Sequence, residues 1–318
     1  MSQQVATAPV VQPALRTQKV SDAPQSAWAK QRERLAWLLV APSVLVVAVV
    51  ALYPLFQTFR LSFTNARFGS SRPEKYVGFD NYSRILGDDV FRSSFWHTIV
   101  FTIGSVSIEA ILGIVIALVI NSQFKARGLV RTAMLIPWAI MTVVSARLWG
   151  WMLEGTGGVV NDILVTRLGI LDEKIPWIAR TSTALPAIIA VDIWKTTPFM
   201  ALLLLAGLQV IPGDIYEAST VDGASKWQQF WQMTLPMLRP ALLVALIFRT
   251  LDAFKVFDLP FVMKGGATDT MTVAVYAQQS LVNDLRLGRS AAASVIIFLC
   301  IGVIVAIYTR VVRVQEAS

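Results

Sequence analysis

The sequence predicts an all-α, polytopic membrane protein. Of its 318 residues, 55% are hydrophobic and only 15% are charged, whereas about a quarter of the residues of a soluble protein are charged. The hydrophobic residues also form long runs, several of which reach the roughly 20 residues that an α-helix needs to cross the hydrocarbon core. Together these observations indicate a bundle of membrane-spanning helices without an independent soluble domain.

Six spans are predicted along the chain. The apolar runs lie at about residues 35–57, 95–121, 130–153, 184–211, 238–262 and 290–310. Residues 1–29 are rich in Gln, Ala, Ser and Pro without periodicity, which predicts a disordered tail, and residues 30–318 form the membrane domain. The tail is not read as a signal peptide, because the first apolar run begins only near Leu35 and is too long for one.

The counts of cysteine, histidine and charge narrow the possible functions. Cys300 and His97 are the only residues of their types, which excludes an intramolecular disulfide framework and a two-histidine metal motif, so no metal site is predicted. His97, beside Trp96, is interpreted as a residue at the membrane interface. The chain lacks G-x-x-x-x-G-K-[ST], so it has no P-loop of its own. The net charge of +8 indicates contact with anionic lipid rather than nucleic acid.

Basic residues near the first span predict the orientation. Lysines and arginines are equally frequent on the two predicted sides of the membrane, so their number alone does not determine the orientation of the chain. Lys30, Arg32 and Arg34 directly precede span one, and Lys125, Arg127 and Arg131 crowd one short loop. Because charge beside the first span usually dominates, both termini are predicted to be cytoplasmic in a multi-pass plasma (inner) membrane protein. The loop between spans four and five is then cytoplasmic as well.

That loop, at about 213–236, is polar and predicts two short helices. Ile215–Val221 forms the first, with Glu217 near its start, where a carboxylate suits the helix dipole. Gly223 permits a turn that other residues resist. Ser225 and Gln228 have capping-box spacing for the second helix, which places Trp227, Phe230 and Trp231 on one side and stops at Pro236. Such short helices need a partner to stay ordered. The aromatic side chains either rest on lipid headgroups or dock into another protein.

The same loop resembles the EAA signature of ABC importer permeases. That signature reads E-A-A, three residues, G, nine residues, I-x-L-P, and this chain has Glu217-Ala218-Ser219, Gly223 and Met233-Thr234-Leu235-Pro236 at matching offsets. Ser219 for Ala and Met233 for Ile are the two departures. Further stretches, among them "AMLIPWAI" and "WKTTPFMALLLLAGLQVIPGDIYEAS", are similar to the carbohydrate-uptake branch, the maltose and glycerol-phosphate type. Within it the chain is most similar to trehalose-importer permeases.

The resemblance implies a fold, partners and a role for the loop. It implies the type I ABC importer permease fold, in which the EAA loop supplies coupling helices that sit in a cleft of a cytoplasmic ATPase. By this resemblance, the residues expected to form the contact with the ATPase are Glu217, Ala218, Ser219, Asp222, Gly223, Trp227, Phe230, Leu235 and Pro236. It also implies a second permease subunit in a heterodimer, two ATPase subunits that hold ATP and Mg, and an extracytoplasmic solute-binding lipoprotein. No cofactor is expected in this chain, and it is not itself an enzyme.

Ionisable residues within the spans suggest where solute passes. Placing such residues in hydrocarbon costs free energy, so they tend to face the interior of a helix bundle or water. The ionisable residues within the predicted spans are Glu109, Arg147, Asp192, Lys195, Arg249, Asp252, Lys255 and Asp258. The pathway is predicted on spans four and five, from Asp192, Lys195, Thr196, Phe199, Arg249, Asp252 and Lys255. Trp194, Phe254 and Phe257 could stack on a sugar ring. Alternatively, Arg249–Asp252 and Asp252–Lys255 are local pairs that neutralise each other.

The expected function is permeation of a sugar, such as the disaccharide trehalose, driven by ATP hydrolysis in a partner subunit. Two alternatives stay open on the residues. Lys195, Arg249 and Lys255 would also suit a solute such as glycerol phosphate. A secondary carrier could use Asp192 or Asp252 as a proton relay, although such a carrier has no reason to display an EAA-spaced loop.

Overall fold

The structure is a computed structural model that describes residues 27–71, 73–122 and 124–316. Apart from its last three residues, the tail predicted over 1–29 lies outside the described residues. Within the described ranges the regular secondary structure is helical, and pairing between extended segments is limited to an isolated bridge between Thr64 and Tyr76. The all-α prediction is therefore confirmed.

Fourteen α-helices and three π-helical segments are described. The α-helices are α1 (Ala27–Val47), α2 (Tyr53–Ser62), α3 (Asp80–Leu86), α4 (Asp89–Asn121), α5 (Arg127–Ala139), α6 (Thr142–Met152), α7 (Val159–Asn161), α8 (Thr181–Val210), α9 (Gly213–Val221), α10 (Lys226–Gln229), α11 (Leu235–Phe254), α12 (Asp258–Lys264), α13 (Val273–Val282) and α14 (Leu287–Glu316). The π-helical segments are Ala48–Leu52, Asp162–Arg167 and Phe230–Thr234.

Among the described residues, four helices are long and apolar enough to cross a membrane. They are Gln31–Ser62, Asp89–Asn121, Thr181–Val210 and Leu287–Arg310, and they match predicted spans one, two, four and six. Predicted span three is broken, since α5 and α6 meet at a bend of 90°. Predicted span five corresponds to α11 and α12, and α11 carries Arg239, Arg249 and Asp252, which is too much charge for a simple apolar span. The count of six crossings stays a prediction.

The chain divides into two compact units, residues 1–55 and 56–318. The first contains α1, which continues into the π-helical segment Ala48–Leu52. That widened turn precedes Pro54, whose ring would otherwise clash with the carbonyl group of the preceding helical turn.

In the second unit, α4, α8 and α11 pack at unusually short range. A Cβ atom added at Gly113 of α4 would lie 2.6 Å from the Met200 Cγ of α8, and one added at Gly207 of α8 would lie 2.4 Å from the Ala241 Cβ of α11. Small residues at such crossings let helix backbones approach closely within a membrane. The close packing brings the ionisable residues of these three helices together in the interior.

Candidate functional site

A cavity of about 540 Å³ lies between two interruptions of helical structure. One wall is the break between α5 and α6, another is the break between α11 and α12, and α8 forms a third. The lining residues are Trp138, Ala139, Ile140, Met141, Thr142, Asp192, Lys195, Thr196, Asp252, Lys255, Val256, Phe257, Asp258 and Leu259. Irregular backbone within a membrane is tolerated where it is buried in protein or lines a water-filled cavity, so the two breaks mark a polar chamber.

Lys195 stabilises the first break. Its ammonium group donates hydrogen bonds to the carbonyl oxygens of Ile140, at 2.6 Å, and Trp138, at 3.4 Å. Ile140 and Met141 both have extended ψ angles, 136° and 137°, so the carbonyl groups at the end of α5 have lost their intrahelical partners. A cation at a helix C-terminus also favours the helix dipole. Lys195 therefore holds the open backbone in place and lines the cavity at the same time.

The second break is held by polar contacts of a different kind. The Thr272 hydroxyl donates to the carbonyl oxygen of Val256 at 2.8 Å. Asp258 stands in the first turn of α12, where a carboxylate favours the positive end of the helix dipole. The Phe257 ring lines the cavity and stacks on Phe261 with ring centroids 5.0 Å apart. This wall therefore combines an aromatic face with carboxylate and ammonium groups.

A buried ion network lies directly behind the cavity and centres on Arg249. The guanidinium group contacts the Glu109 carboxylate through Nε and Nη2, and Nη2 also donates to Asp192 Oδ2 at 2.6 Å. Its Nη1 donates to Asp252 Oδ2 at 3.0 Å. The side chains of Arg249 and Glu109 are 2% and 0% exposed. One buried guanidinium thus connects carboxylates from three helices, α4, α8 and α11.

Two hydroxyl groups provide further hydrogen bonds to these carboxylates. The Ser105 hydroxyl lies within hydrogen-bond distance of the Glu109 and Asp192 carboxylates and can donate its proton to either one, and Thr196 donates to Glu109 Oε1 at 2.6 Å. Buried charges are tolerated when they are paired and hydrogen-bonded, and both conditions hold here. The network reaches the cavity through Asp252, whose side chain is 63% exposed.

The predicted pathway residues are only partly brought to the cavity. Five of them line it: Asp192, Lys195, Thr196, Asp252 and Lys255. Arg249 stands behind the lining in the ion network, and Phe199 stacks on Trp138 with ring centroids 5.9 Å apart without reaching the cavity. Of the three aromatic candidates, Phe257 alone is in the lining.

The structure also shows which of the local ion pairs considered from the sequence, Arg249–Asp252 and Asp252–Lys255, are formed. The Arg249–Asp252 pair exists, whereas within the described ranges Asp252 and Lys255 form no ion pair. Sequence reasoning did not include Glu109 in the pathway, although its isolated carboxylate in a long apolar helix was the available signal. Its partners Thr196 and Arg249 are 87 and 140 positions away in sequence, and helical spacing within one span cannot reveal such contacts.

The polar loop folds as two short helices around a glycine turn. Gly223 has a φ of +81°, a conformation that L side chains rarely adopt, and Ser225 and Gln228 form the predicted capping box. Gln229 ties the two helices together, since its amide donates to Ser219 Oγ at 2.9 Å and Thr220 Oγ1 at 3.0 Å. The first turn of α9 holds Asp214 rather than Glu217, because the helix begins two residues earlier than the predicted Ile215.

Pro236 does not stop the second helix, contrary to the prediction. Helical structure runs from Lys226 to Phe254, with the π-helical segment Phe230–Thr234 directly before α11. Pro236 is the second residue of α11 and directly follows the π-helical segment. The wider π-helical turn accommodates the proline ring, so the loop continues directly into α11.

The loop presents a set of exposed groups at its surface. Glu217, Ala218, Asp222 and Gly223 are exposed, and Trp227 is 70% exposed. Phe230, Leu235 and Pro236 are half-buried, and Ser219 is buried under Gln229. The rings of Trp227, Phe230 and Trp231 pack on one another with centroids 5.1–6.2 Å apart. Sequence reasoning missed Val221, which is 88% exposed at the tip of the loop beside Asp222-Gly223.

Comparisons with known proteins identify similar chains. The family model described as "Binding-protein-dependent transport system inner membrane component" matches residues 109–317. The trehalose/maltose transport system permease protein of Thermococcus litoralis is 41% identical over 90% of this chain and 97% of its own length. The sulfoquinovosyl glycerol transport system permease protein of Agrobacterium fabrum is 38% identical over 89% and 91%.

A solved structure shares the fold. A chain of the bacterial alginate ABC transporter, crystallised in complex with an alginate pentasaccharide-bound periplasmic protein, superimposes with a TM-score of 0.80. The match covers 91% of this chain and 98% of that chain at 22% sequence identity. At this identity the likeness concerns the arrangement of helices.

Proposed function

Because the chain belongs to the family of binding-protein-dependent transport system inner membrane components, we propose that it is the permease subunit through which a disaccharide such as trehalose or maltose enters the cell. The family resemblance seen in the sequence is thereby confirmed, and the chain is a transport subunit rather than an enzyme. The disaccharide is proposed from the relative whose name refers to trehalose and maltose, whereas the name of the other relative refers to sulfoquinovosyl glycerol. Membership of the family argues against a secondary carrier.

The observation that carries the proposal is the polar cavity between the two helix breaks. Discontinuous helices form solute sites near the midplane in many transporters. Hydroxyl groups of a sugar can donate to the carboxylates of Asp252 and Asp258 and accept from Lys255, while Phe257 offers an aromatic face. A cavity of about 540 Å³ lies within the range of small-molecule sites.

The charge of the lining favours a neutral sugar over glycerol phosphate. Three carboxylates, of Asp192, Asp252 and Asp258, and two ammonium groups, of Lys195 and Lys255, line the cavity. Lys195 is already engaged by two backbone carbonyl groups, which leaves Lys255 as the cation least committed to the protein. A phosphate dianion would face an excess of negative charge, whereas neutral hydroxyl groups can use both kinds of partner.

The loop of α9 and α10 is proposed as the element that couples transport to ATP hydrolysis in a partner. Its exposed face offers an acidic group at Glu217 and apolar groups at Val221 and Trp227. Glu217 has no ion-pair partner among the described residues, so its carboxylate is available for a basic residue of an ATPase cleft. Because α10 continues through the π-helical segment into α11, a push on the loop is transmitted to the helix that carries Arg249 and Asp252.

The proposed assembly contains this chain, a second permease subunit, two ATPase subunits that bind ATP and Mg, and an extracytoplasmic binding lipoprotein. With the predicted orientation, the loop faces the cytoplasm and the ATPase subunits. The second, different permease is proposed from the resemblance of the loop to the EAA signature and not from the cavity, whose three described walls all belong to this chain. Co-purification should recover both permeases, and an active complex built on two copies of this chain alone would contradict this composition.

Asp252→Asn should lower uptake of labelled disaccharide by the intact assembly about tenfold or more, because hydrogen bonds to a charged group contribute about 1.5–3 kcal/mol. Assembly should be unaffected, since the Asp252 side chain is 63% exposed. Asp192 is a poorer test than the sequence suggested, because its carboxylate is buried against Arg249. The measurement is initial uptake across a panel of labelled disaccharides and glycerol phosphate, with and without this subunit.

Asp172→Asn is the matched control, since Asp172 is exposed and lies outside the cavity. It removes the same charge and should leave uptake unchanged. Normal uptake by the correctly assembled Asp252→Asn variant would remove Asp252 from the pathway. Uptake of glycerol phosphate but of no sugar would overturn the proposed substrate class.

A further inference from the structure

We propose that a cleft lined by four arginines binds the phosphate group of an anionic phospholipid headgroup. The arginine cleft has a volume of about 320 Å³ and is lined by Thr64, Asn65, Ala66, Arg67, Val77, Asp80, Asn81, Arg84, Arg286, Gly288 and Arg289. Four guanidinium groups and one carboxylate make it strongly basic. It is separate from the solute cavity and from the loop of α9 and α10, and neither of the proposed functions uses it.

The cleft is built by backbone contacts that bring two distant segments together. The Phe68 amide donates to the carbonyl oxygen of Leu285 at 2.9 Å, and the Gly288 amide donates to that of Ala66 at 3.0 Å. A Cβ atom at Gly288 would lie 2.0 Å from the Thr64 carbonyl oxygen, so only glycine allows this approach. Arg67 and Arg286 are thereby placed side by side on one preformed frame.

The arginines differ in what they contact. Arg84 pairs with Asp80 at 3.0 Å, and Arg289 pairs with Asp88 and lies over the Tyr276 ring. The side chains of Arg67 and Arg286 are exposed, and neither has a partner among the described residues. The Nε atom of Arg289 is buried and also lacks a hydrogen-bond partner there. The cleft therefore has several unused donors, arranged as planar groups that suit the oxygens of a phosphate.

The position of the cleft favours a lipid headgroup over a soluble partner. Three of the long apolar helices have an end beside it, at Ser62, Asp89 and Leu287, and the ends of helices that span the hydrocarbon core lie at the depth of the headgroups. Phe63 packs against Tyr76, Phe79 and Tyr82 with centroids 5.3–6.3 Å apart, and Phe79 and Tyr76 are 72% and 77% exposed. Aromatic side chains are enriched at this level of a membrane. The cleft thus combines phosphate donors with an aromatic group at headgroup depth.

The test measures lipid binding to the full chain in its detergent-solubilised assembly. Native mass spectrometry with added phosphatidylglycerol or phosphatidylcholine should show preferential binding of phosphatidylglycerol. Arg67→Gln combined with Arg286→Gln should weaken that binding about tenfold or more, the effect of losing charge-assisted hydrogen bonds. Because both side chains are exposed and unpaired within the described residues, the variant should assemble normally.

Arg180→Gln combined with Arg239→Gln is the matched control. Both of these arginines are exposed and lie outside the cleft, so phosphatidylglycerol binding should stay within about twofold. Equal binding of phosphatidylglycerol by the cleft variant and the unmodified chain would overturn the proposal. So would equal affinity for phosphatidylcholine, or displacement of the lipid by an equal concentration of inorganic phosphate. Weakened capture of the solute-binding protein with unchanged lipid binding would assign the cleft to a protein interface instead.

Discussion

Arg249→Met should strongly destabilise the membrane domain. Removal of the guanidinium group leaves the buried carboxylates of Glu109 and Asp192 without their cation. Loss of one partner from a buried ion pair costs about 3–5 kcal/mol, which is a large part of the stability of a typical domain. We expect a sharp fall in the yield of monodisperse protein in detergent and a lower midpoint of thermal unfolding.

Two further variants separate charge pairing from loss of the side chain itself. Arg239→Met makes the same substitution on the same helix at an exposed position, and it should change stability little. Adding Glu109→Gln and Asp192→Asn to Arg249→Met removes the unpaired charges while Ser105 and Thr196 keep amide partners, so part of the lost stability should return. If Arg249→Met alone unfolds at the same temperature as the unmodified chain, the network does not hold these helices together.

Gly223→Pro should abolish solute-stimulated ATP hydrolysis by the assembly. Proline fixes φ near −65°, whereas Gly223 has a φ of +81° and its amide donates to the Thr220 carbonyl oxygen at 3.1 Å. The substitution therefore removes both the turn and a hydrogen bond from the turn to the last residues of α9. ATPase rates in reconstituted vesicles, with and without loaded binding protein, measure the effect.

Smaller changes in the same loop should reduce the stimulation of ATP hydrolysis less than Gly223→Pro does. Glu217→Ala should reduce the stimulation less than Gly223→Pro does, because it removes one contact and keeps the turn. A truncated ion pair at a desolvated interface costs about 2–5 kcal/mol, against about 0–1 kcal/mol at an exposed one. Gly213→Ala is the control, since Gly213 has open space around its Cβ position. Full stimulation in a correctly inserted Gly223→Pro variant would show that this loop is not the coupling element.

The sequence predicted local features well because short-range chemistry determines them. The capping box at Ser225 and Gln228 and the turn at Gly223 follow from residue types at fixed offsets. The apolar runs likewise predicted the four long helices, with ends that differ by at most six residues. Pro236 was misjudged because its effect depends on the preceding turn, which widens into a π-helix here.

The arrangement of the site depends on contacts that no local pattern encodes. Glu109 and Arg249 meet because α4, α8 and α11 pack closely at Gly113 and Gly207. In the same way, Lys195 was predicted as a pathway cation, but most of its hydrogen bonding goes to the backbone of a break 55 residues earlier in the chain. The sequence could identify which residues are costly in hydrocarbon, whereas their partners required the tertiary structure.

The central claim is that solute occupies the cavity between the two helix breaks, and site-directed thiol labelling tests it most directly. Cys300, the chain's only cysteine, is first replaced by serine, and Thr142→Cys then places a thiol in the cavity lining. Thr132→Cys is the control, on the neighbouring exposed face of α5 and outside the cavity. During ATP-driven transport, the disaccharide should slow labelling by a hydrophilic thiol reagent severalfold at position 142 and leave it unchanged at position 132. Equal labelling at position 142 with and without transported sugar would contradict the account.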